Sequence, residues 1–275
     1  MILDEAYEII SKCPYYFTDE ELINIDKNEW INIYNYEDGS LIYATTLLMH
    51  WIERWKCLPQ KELLHNPLIC NIYNQTPAMV WIIYCKSLPP KELLHDPEVQ
   101  DQNGLTCAMY WIIYCKSLPP KELLHNKTIK DKSGFTMAMI WIEQCKTLPP
   151  KELLHDPKIQ NVLGFTCAMY WISYCKSLPP RKLLHKSSLV ASYTKDTCAS
   201  LWIKNCKTLP PKEIMCDKLK RHVLNTTLAM IWIEHCKTLP PRELLHNPSL
   251  KDIQRNTCAD YWKTHVGDDI PVELL

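Results

Sequence analysis

Six histidines stand in register along the chain: His65, His95, His125, His155, His185 and His246, with Cys216 in the seventh place. A ladder of imidazoles at fixed spacing could hold metal ions. Zinc ligands lie about 2 Å from the ion, so two in one shell must nearly touch. Side-by-side helices stand about 8–10 Å apart, and one histidine per helix cannot close such a shell. The geometry favours a histidine that ends a short helix and bonds its last carbonyls. No residue is assigned as a metal ligand.

The cysteines invite a second chemistry. Fourteen in 275 residues suggest a disulfide framework. Most fall in two columns, one around Cys107, Cys167, Cys198 and Cys258, the other around Cys85, Cys115, Cys145, Cys175, Cys206 and Cys236. Eight residues of helix separate the columns, a rise of about 12 Å, whereas a disulfide needs Cα atoms within about 7 Å. Neighbours within a column sit one helix spacing apart. These cysteines read as small buried apolar groups in a reducing compartment. Two rows of cations (Lys86, Lys116, Lys146, Lys176, Lys207, Lys237; and Lys91, Lys121, Lys151, Arg181, Lys212, Arg242) could follow a phosphate backbone. Glutamates directly follow most of the second row, so a solvated, mixed-charge face is the simpler reading. The tryptophans could stack on bases, yet they share their helix face with invariant Ala, Ile and Cys, which points to core. No nucleophile elbow, phosphate loop or metal-spaced cysteine pair is present. Catalytic residues, cofactor and metal are all assigned as none.

What positions these columns is a repeat. Ala108 to His125 recurs at Ala78 to His95 with one change, Val80 for Tyr110. Trp51, Trp81, Trp111, Trp141, Trp171, Trp202, Trp232 and Trp262 follow at steps of 30 residues, once 31. Self-similarity at such a period means a repeat array. Relative to the Trp, the positions that keep their character are −3 (Ala), 0, +1 (Ile) and +4 (Cys), one face of a helix. Thr106 and its equivalents can cap that helix. Pro-Pro-Lys-Glu-Leu-Leu then predicts a second helix of about two turns, opened by proline and ended before His-Asp-Pro. About nine residues of connection follow, with Gly104, Gly134 and Gly164 suited to a positive φ. The extra residue between Trp171 and Trp202 falls there, as insertions do in loops.

Asp101-Gln-Asn-Gly-Leu-Thr106 resembles the D-x-x-G-x-T that opens ankyrin repeats, and Thr76-Pro77 is similar to the start of their first helix. Leu93-Leu-His-Asp-Pro-x-Val-Gln100 looks like the end of an ankyrin second helix and its turn. The resemblance covers roughly residues 40–275. It departs in unit length, 30 rather than 33 residues, in Trp where the family has a small Ala, in Met109 where it has His, and in Asn74, Lys195, Asn225 and Arg255 where it has Gly. It implies an all-α, ankyrin-like solenoid of stacked helix-turn-helix repeats with short loops that binds other proteins, and it implies no chemistry.

The expected organisation is an N-terminal helical cap at 1–44, seven repeats over 45–256, and an incomplete eighth repeat over 257–275 acting as a C-terminal cap, with Leu274 and Leu275 folding onto Leu244 and Leu245. Helices are expected over 3–12 and 17–25, the second with Thr18 as its N-cap. Residues 1–44 carry a net −8 and the remainder +8. No leader and no apolar run of about 18 residues is visible, so a monomer in the cytoplasm is expected. The positions that differ between near-identical repeats are −1, +2 and +3: Val80, Ile83, Tyr84; Tyr110, Ile113, Tyr114; Ile140, Glu143, Gln144; Tyr170, Ser173, Tyr174. Exposed, they would form the contact surface for a partner protein. Alternatively the face packs on the second helix or the next repeat, which the apolar character of −1 fits. The competing function is nucleic-acid binding by the lysine rows.

Overall fold

The repeat predicts short helices that persist only by packing on one another. The computed structural model of the chain describes residues 30–34, 41–59, 61, 64, 66–184, 189–215, 226–245 and 247–275, with 30–45 and 47 by backbone only. The chain divides into two compact units, Met1–Lys132 and Ser133–Leu275.

The first unit opens with an antiparallel hairpin of β1 (Trp30–Tyr34) and β2 (Leu41–Thr46), registered Trp30 opposite Thr46 and bulged between Ile33 and Tyr34. The described residues of 1–44 are thus strand, the exception to an otherwise all-α array among the described residues. Ile31, Ile33, Ile42 and Tyr43 are residues that suit strands, but periodicity over so few positions was weak. The helices expected over 3–12 and 17–25 lie outside the described residues. Helix α1 (Leu47–Trp55) follows β2 without a break, then α2 (Pro77–Cys85) and α3 (Cys107–Cys115), each packed on the one before.

The second unit holds α4 (Met137–Cys145), α5 (Cys167–Cys175), α6 (Cys198–Cys206), α7 (Leu228–Cys236) and α8 (Cys258–His265), again packed in sequence. One part of its core gathers around Ala138, Met139, Ile142, Met169, Ile172 and Leu183. Another joins Ile203, Met230, Ile233, Leu244 and Leu274. Leu274 is thus folded in beside Leu244, while Leu275 stays exposed, contrary to expectation for the last residue.

Every helix starts at the expected threonine. Thr106 has an extended backbone and its side chain accepts from the Met109 N–H at 3.3 Å. Among the described residues, seven of the eight α-helices end at a lysine in the left-handed conformation, Lys116 at φ 50°, whose N–H bonds the Ile112 carbonyl at 3.2 Å. The second helix is far shorter than two turns. It is a single 3-10 turn, Lys91–Leu93 and Lys121–Leu123, closed by Leu123 N–H to the Pro120 carbonyl at 3.0 Å. Pro120 (ψ 154°) and Leu124 (ψ 139°) are extended on either side. Between the proline pair and the histidine there is room for one turn only.

Candidate functional site

The three described histidines of the column do something other than end a helix. His125 Nε2 lies 2.7 Å from the Thr106 hydroxyl, and its Nδ1 lies 2.8 Å from the Asn126 carbonyl. His95 pairs with Thr76 and Asp96, and His155 with Thr136 and Asp156, in the same way. A carbonyl only accepts, so Nδ1 carries the proton and Nε2 accepts from the threonine. Each histidine therefore ties the second turn of its repeat to the N-cap of the first helix. Burial lowers the pKa of His125, opposed by the Asn126 carbonyl and Glu98. His65, His185, His246 and Cys216 lie outside the described residues. Cys107 Sγ sits 3.7 Å from His95 Nε2, but burial pushes its thiol, and that of Cys167, up to about 12, so neither is a thiolate near neutral pH. Among the described residues no group of three or more His, Cys, Asp or Glu is placed to hold a metal.

Trp51, Trp141 and Trp232 are buried as expected of core, whereas Trp81, Trp111, Trp171, Trp202 and Trp262 are half-buried. From Trp81 to Trp232 the indole N–H bonds a hydroxyl six residues on: Trp111 donates to Ser117 at 2.8 Å, Trp171 to Ser177 at 2.9 Å and Trp232 to Thr238 at 3.0 Å. This explains the hydroxyl at +6 in those repeats. The bond folds the Lys-Ser/Thr-Leu loop back along the helix, leaving Leu88, Leu118, Leu148, Leu178 and Leu239 exposed.

The face proposed from sequence is split by the structure. Val80, Tyr110, Ile140 and Tyr170, all at −1, are buried at 4–7 % exposure, which removes them from any contact surface. A nine-residue helix is enclosed around its whole first half, so a position can vary in identity and still be core. The tyrosines there have a specific anchor. Tyr110 donates to Asp101 Oδ2 at 2.8 Å and accepts from Gln75, and Tyr170 accepts from Asn161 at 2.9 Å. Ile83, Ile113, Glu143 and Ser173 are half-buried at +2. At +3, Tyr84, Tyr114 and Tyr174 are exposed and Gln144 half-buried. Two of these tyrosines clasp the preceding repeat, Tyr84 to Glu53 at 2.9 Å and Tyr174 to Glu143 at 2.7 Å. Burial, then the Glu143 bond, raises Tyr174 to about 12, so it stays a neutral donor.

Sequence reasoning passed over the turn tips. Asp101 is 5 % exposed and folds its turn by accepting from the N–H groups of Asn103 and Leu105 at 2.8 and 2.7 Å. Asn161 and Asp252 repeat the arrangement. Successive tips are then bonded to each other by backbone. Within the first unit Gln102 donates to Tyr73 (2.9 Å) and Lys132 to Asn103 (2.8 Å). Within the second, Val162 donates to Ser133 (3.1 Å) and Tyr193 to Leu163 (3.4 Å). The glycines permit this approach: a Cβ on Gly134 would lie 2.7 Å from Val162 N. Asn74, Lys195 and Arg255 keep the positive φ without glycine. The tips vary more between repeats than the helices do and hold their side chains in water, Tyr193 at 79 %, Val162 at 62 % and Ile253 at 56 % exposure. Their variation between otherwise near-identical copies was the signal available in the sequence.

One polar cavity, of about 390 Å³, breaks the repetition, against Lys204, Glu234, His235, Asp252 and Tyr261. Lys204 is paired there with the buried Asp196 at 2.8 Å. Burial, then the bond to Asp252, raises Tyr261 to about 12, so it is no base near neutrality.

Fold and surfaces together define an all-α repeat array whose units are ankyrin-like in their Asp-folded turn, left-handed glycine and threonine cap. No family model matches the chain, and no curated protein matches it. Among solved structures it is similar to the ankyrin repeat domain of Bcl-3, of the IkappaB family, at 12 % identity and TM-score 0.29, covering 72 % of this chain and 68 % of that one. A chain of the Bdellovibrio bacteriovorus complex of the predatory endopeptidase Bd0816 with the immunity protein Bd3460 is similar at 16 % identity and TM-score 0.32, covering 62 % and 79 %. The ankyrin repeat protein EF0377 is similar at 12 % identity and TM-score 0.28, covering 73 % and 79 %. The ankyrin-like character stated above rests on the chain's own turns and caps. No described helix is long and apolar enough to cross a membrane.

Proposed function

We propose that the chain is a non-catalytic scaffold that acts as a cytoplasmic monomer and binds a partner protein on the exposed side of its repeats. The observation that supports this reading is the row of turn tips. They hold the residues that differ most between copies, in water, at positions registered by backbone bonds. Large apolar side chains exposed on a rigid edge mark contact surfaces. Tyr84, Tyr114 and Tyr174, with the half-exposed Ile83, Ile113, Glu143, Gln144 and Ser173, remain as a second contact row. The test is capture of partner proteins on the immobilised full chain, compared with a Val162→Ser, Tyr193→Ser variant. The variant should keep its melting temperature, since both side chains already face water, and should lose the captured protein by tenfold or more. Equal capture by both forms would refute the tip surface. The alternative, nucleic-acid binding by the lysine rows, predicts affinity for generic DNA or RNA that falls steeply with salt.

A further inference from the structure

The Lys-Ser/Thr-Leu loop that follows each first helix carries a pattern the fold does not use. Lys86, Lys116, Lys146, Lys176, Lys207 and Lys237 are exposed and take φ between 50 and 56°. Glycine or asparagine adopts that conformation more cheaply. A cation there gains something from the helix C-terminus, but a lysine in the last turn would gain it without the backbone strain. Among the described residues none of these six forms an ion pair. Two residues on, an exposed leucine accompanies nearly every one, and the indole bond to the intervening hydroxyl holds the loop in a fixed conformation. The charge of Lys86 acts on the Cys115 thiol of the following repeat, and that of Lys146 on Cys175, in each case second to burial.

We propose that this lysine–leucine edge within the second unit, at Lys146, Lys176, Lys207 and Lys237, binds an extended acidic segment of a partner protein, one with Asp or Glu at every third position and apolar residues between, in polyproline II conformation. The proposal rests on the protein-binding reading above. Packed helices step about 8–10 Å, and three residues of polyproline II rise about 9 Å and bring the same side round again. One carboxylate per repeat then meets one lysine, and the residues between meet the leucines. Nucleic acid fits less well. A strand offers a phosphate about every 3.4 Å, far denser than the lysines, and the tied indoles, buried or half-buried, offer edges rather than free faces for stacking.

The probe is a peptide of four Glu-Pro-Leu triplets, set against one of equal composition with its glutamates in a block. Binding to the full chain is read by tryptophan fluorescence and by peptide anisotropy at physiological ionic strength. The triplet peptide should bind at least tenfold more tightly than the blocked one. The Lys146→Gly, Lys176→Gly and Lys207→Gly, Lys237→Gly double variants, which relieve the strained backbone and so keep the fold, should each weaken it several-fold. Equal binding of both peptides, or no effect of the glycine variants, overturns the proposal. So does tighter binding of a thymidine oligonucleotide, or zero-length cross-linking of these lysines to the chain's own residues 1–44 or to a second copy. If the peptides fail while the full chain still captures a partner through its tips, only this edge is wrong. Loss of all capture would count against the scaffold reading itself.

Discussion

At the scale of single residues, the repeat is held by a threonine used twice. Thr106 accepts from Met109 N–H and donates to His125. Thr106→Ala should therefore destabilise by about 1–2 kcal/mol, the usual penalty for a lost cap, whereas Thr106→Ser should be nearly silent in a urea melt. The same bond makes the histidine pH-sensitive. Protonation at Nε2 removes the acceptor that the hydroxyl uses, and burial already holds the His125 pKa below its ordinary value. With the folded pKa depressed, the unfolded chain binds more protons as pH falls. Stability is complete above the ordinary value of about 6.5 and declines below it. Melting temperatures at about pH 7.5 and 5.5 should differ, and by less in His125→Gln. An equal or larger difference in that variant would contradict the assignment. Lys116 makes the opposite case. Its φ of 50° strains any side chain, so Lys116→Gly should raise stability by about 0.5–1 kcal/mol.

At the scale of elements, the first helix was legible because nine residues repeat with both ends marked, threonine before and lysine after. Its apolar residues bury as expected at −3 and +1, Ala108 and Ile112 being fully enclosed. At −1 variation pointed to exposure and apolar character to packing, and the burial of Val80, Tyr110, Ile140 and Tyr170 sides with the second. Val, Tyr, Ile and Leu can all fill one cavity, the tyrosines by sending the hydroxyl to the Asx of the turn. The second helix was overread. Pro-Pro and Leu-Leu are helix signals, but nothing in five residues tells a 3-10 turn from the start of two α turns until the histidine's distant threonine partner is known. The turn tips depend on neighbours 30 residues away, which a reading of one repeat does not supply. Here the glycines make a sharp test. A Cβ at Gly134 would meet the Val162 nitrogen at 2.7 Å, on a backbone at φ 80°. Gly134→Ala should destabilise by about 1–3 kcal/mol and speed hydrogen exchange at Val162 N–H. Retained protection there would show that the tips are not locked.

On the scale of the whole molecule, stability in a repeat array is a sum over units and their nearest-neighbour contacts. Each described helix packs on the one before it within its unit, and none is long enough to persist alone in water. Residues 137–166 make one whole period inside the second unit. Their removal joins Thr136 directly to Cys167, so the threonine that capped α4 now caps α5, and the repeated Cys/Met-Ala-Met sequence meets it in the same register. The glycine turn before Thr136 is then followed by the next tip in order, at 191–193. The shortened chain should remain helical and cooperative, with a urea m-value reduced roughly in proportion to the residues removed. Deleting half a period, 137–151, should instead place Thr136 before Glu152 and leave no helix to cap. That protein should aggregate or lose cooperative unfolding. If the two deletions behave alike, the units are not the interchangeable blocks that the tryptophan spacing implies.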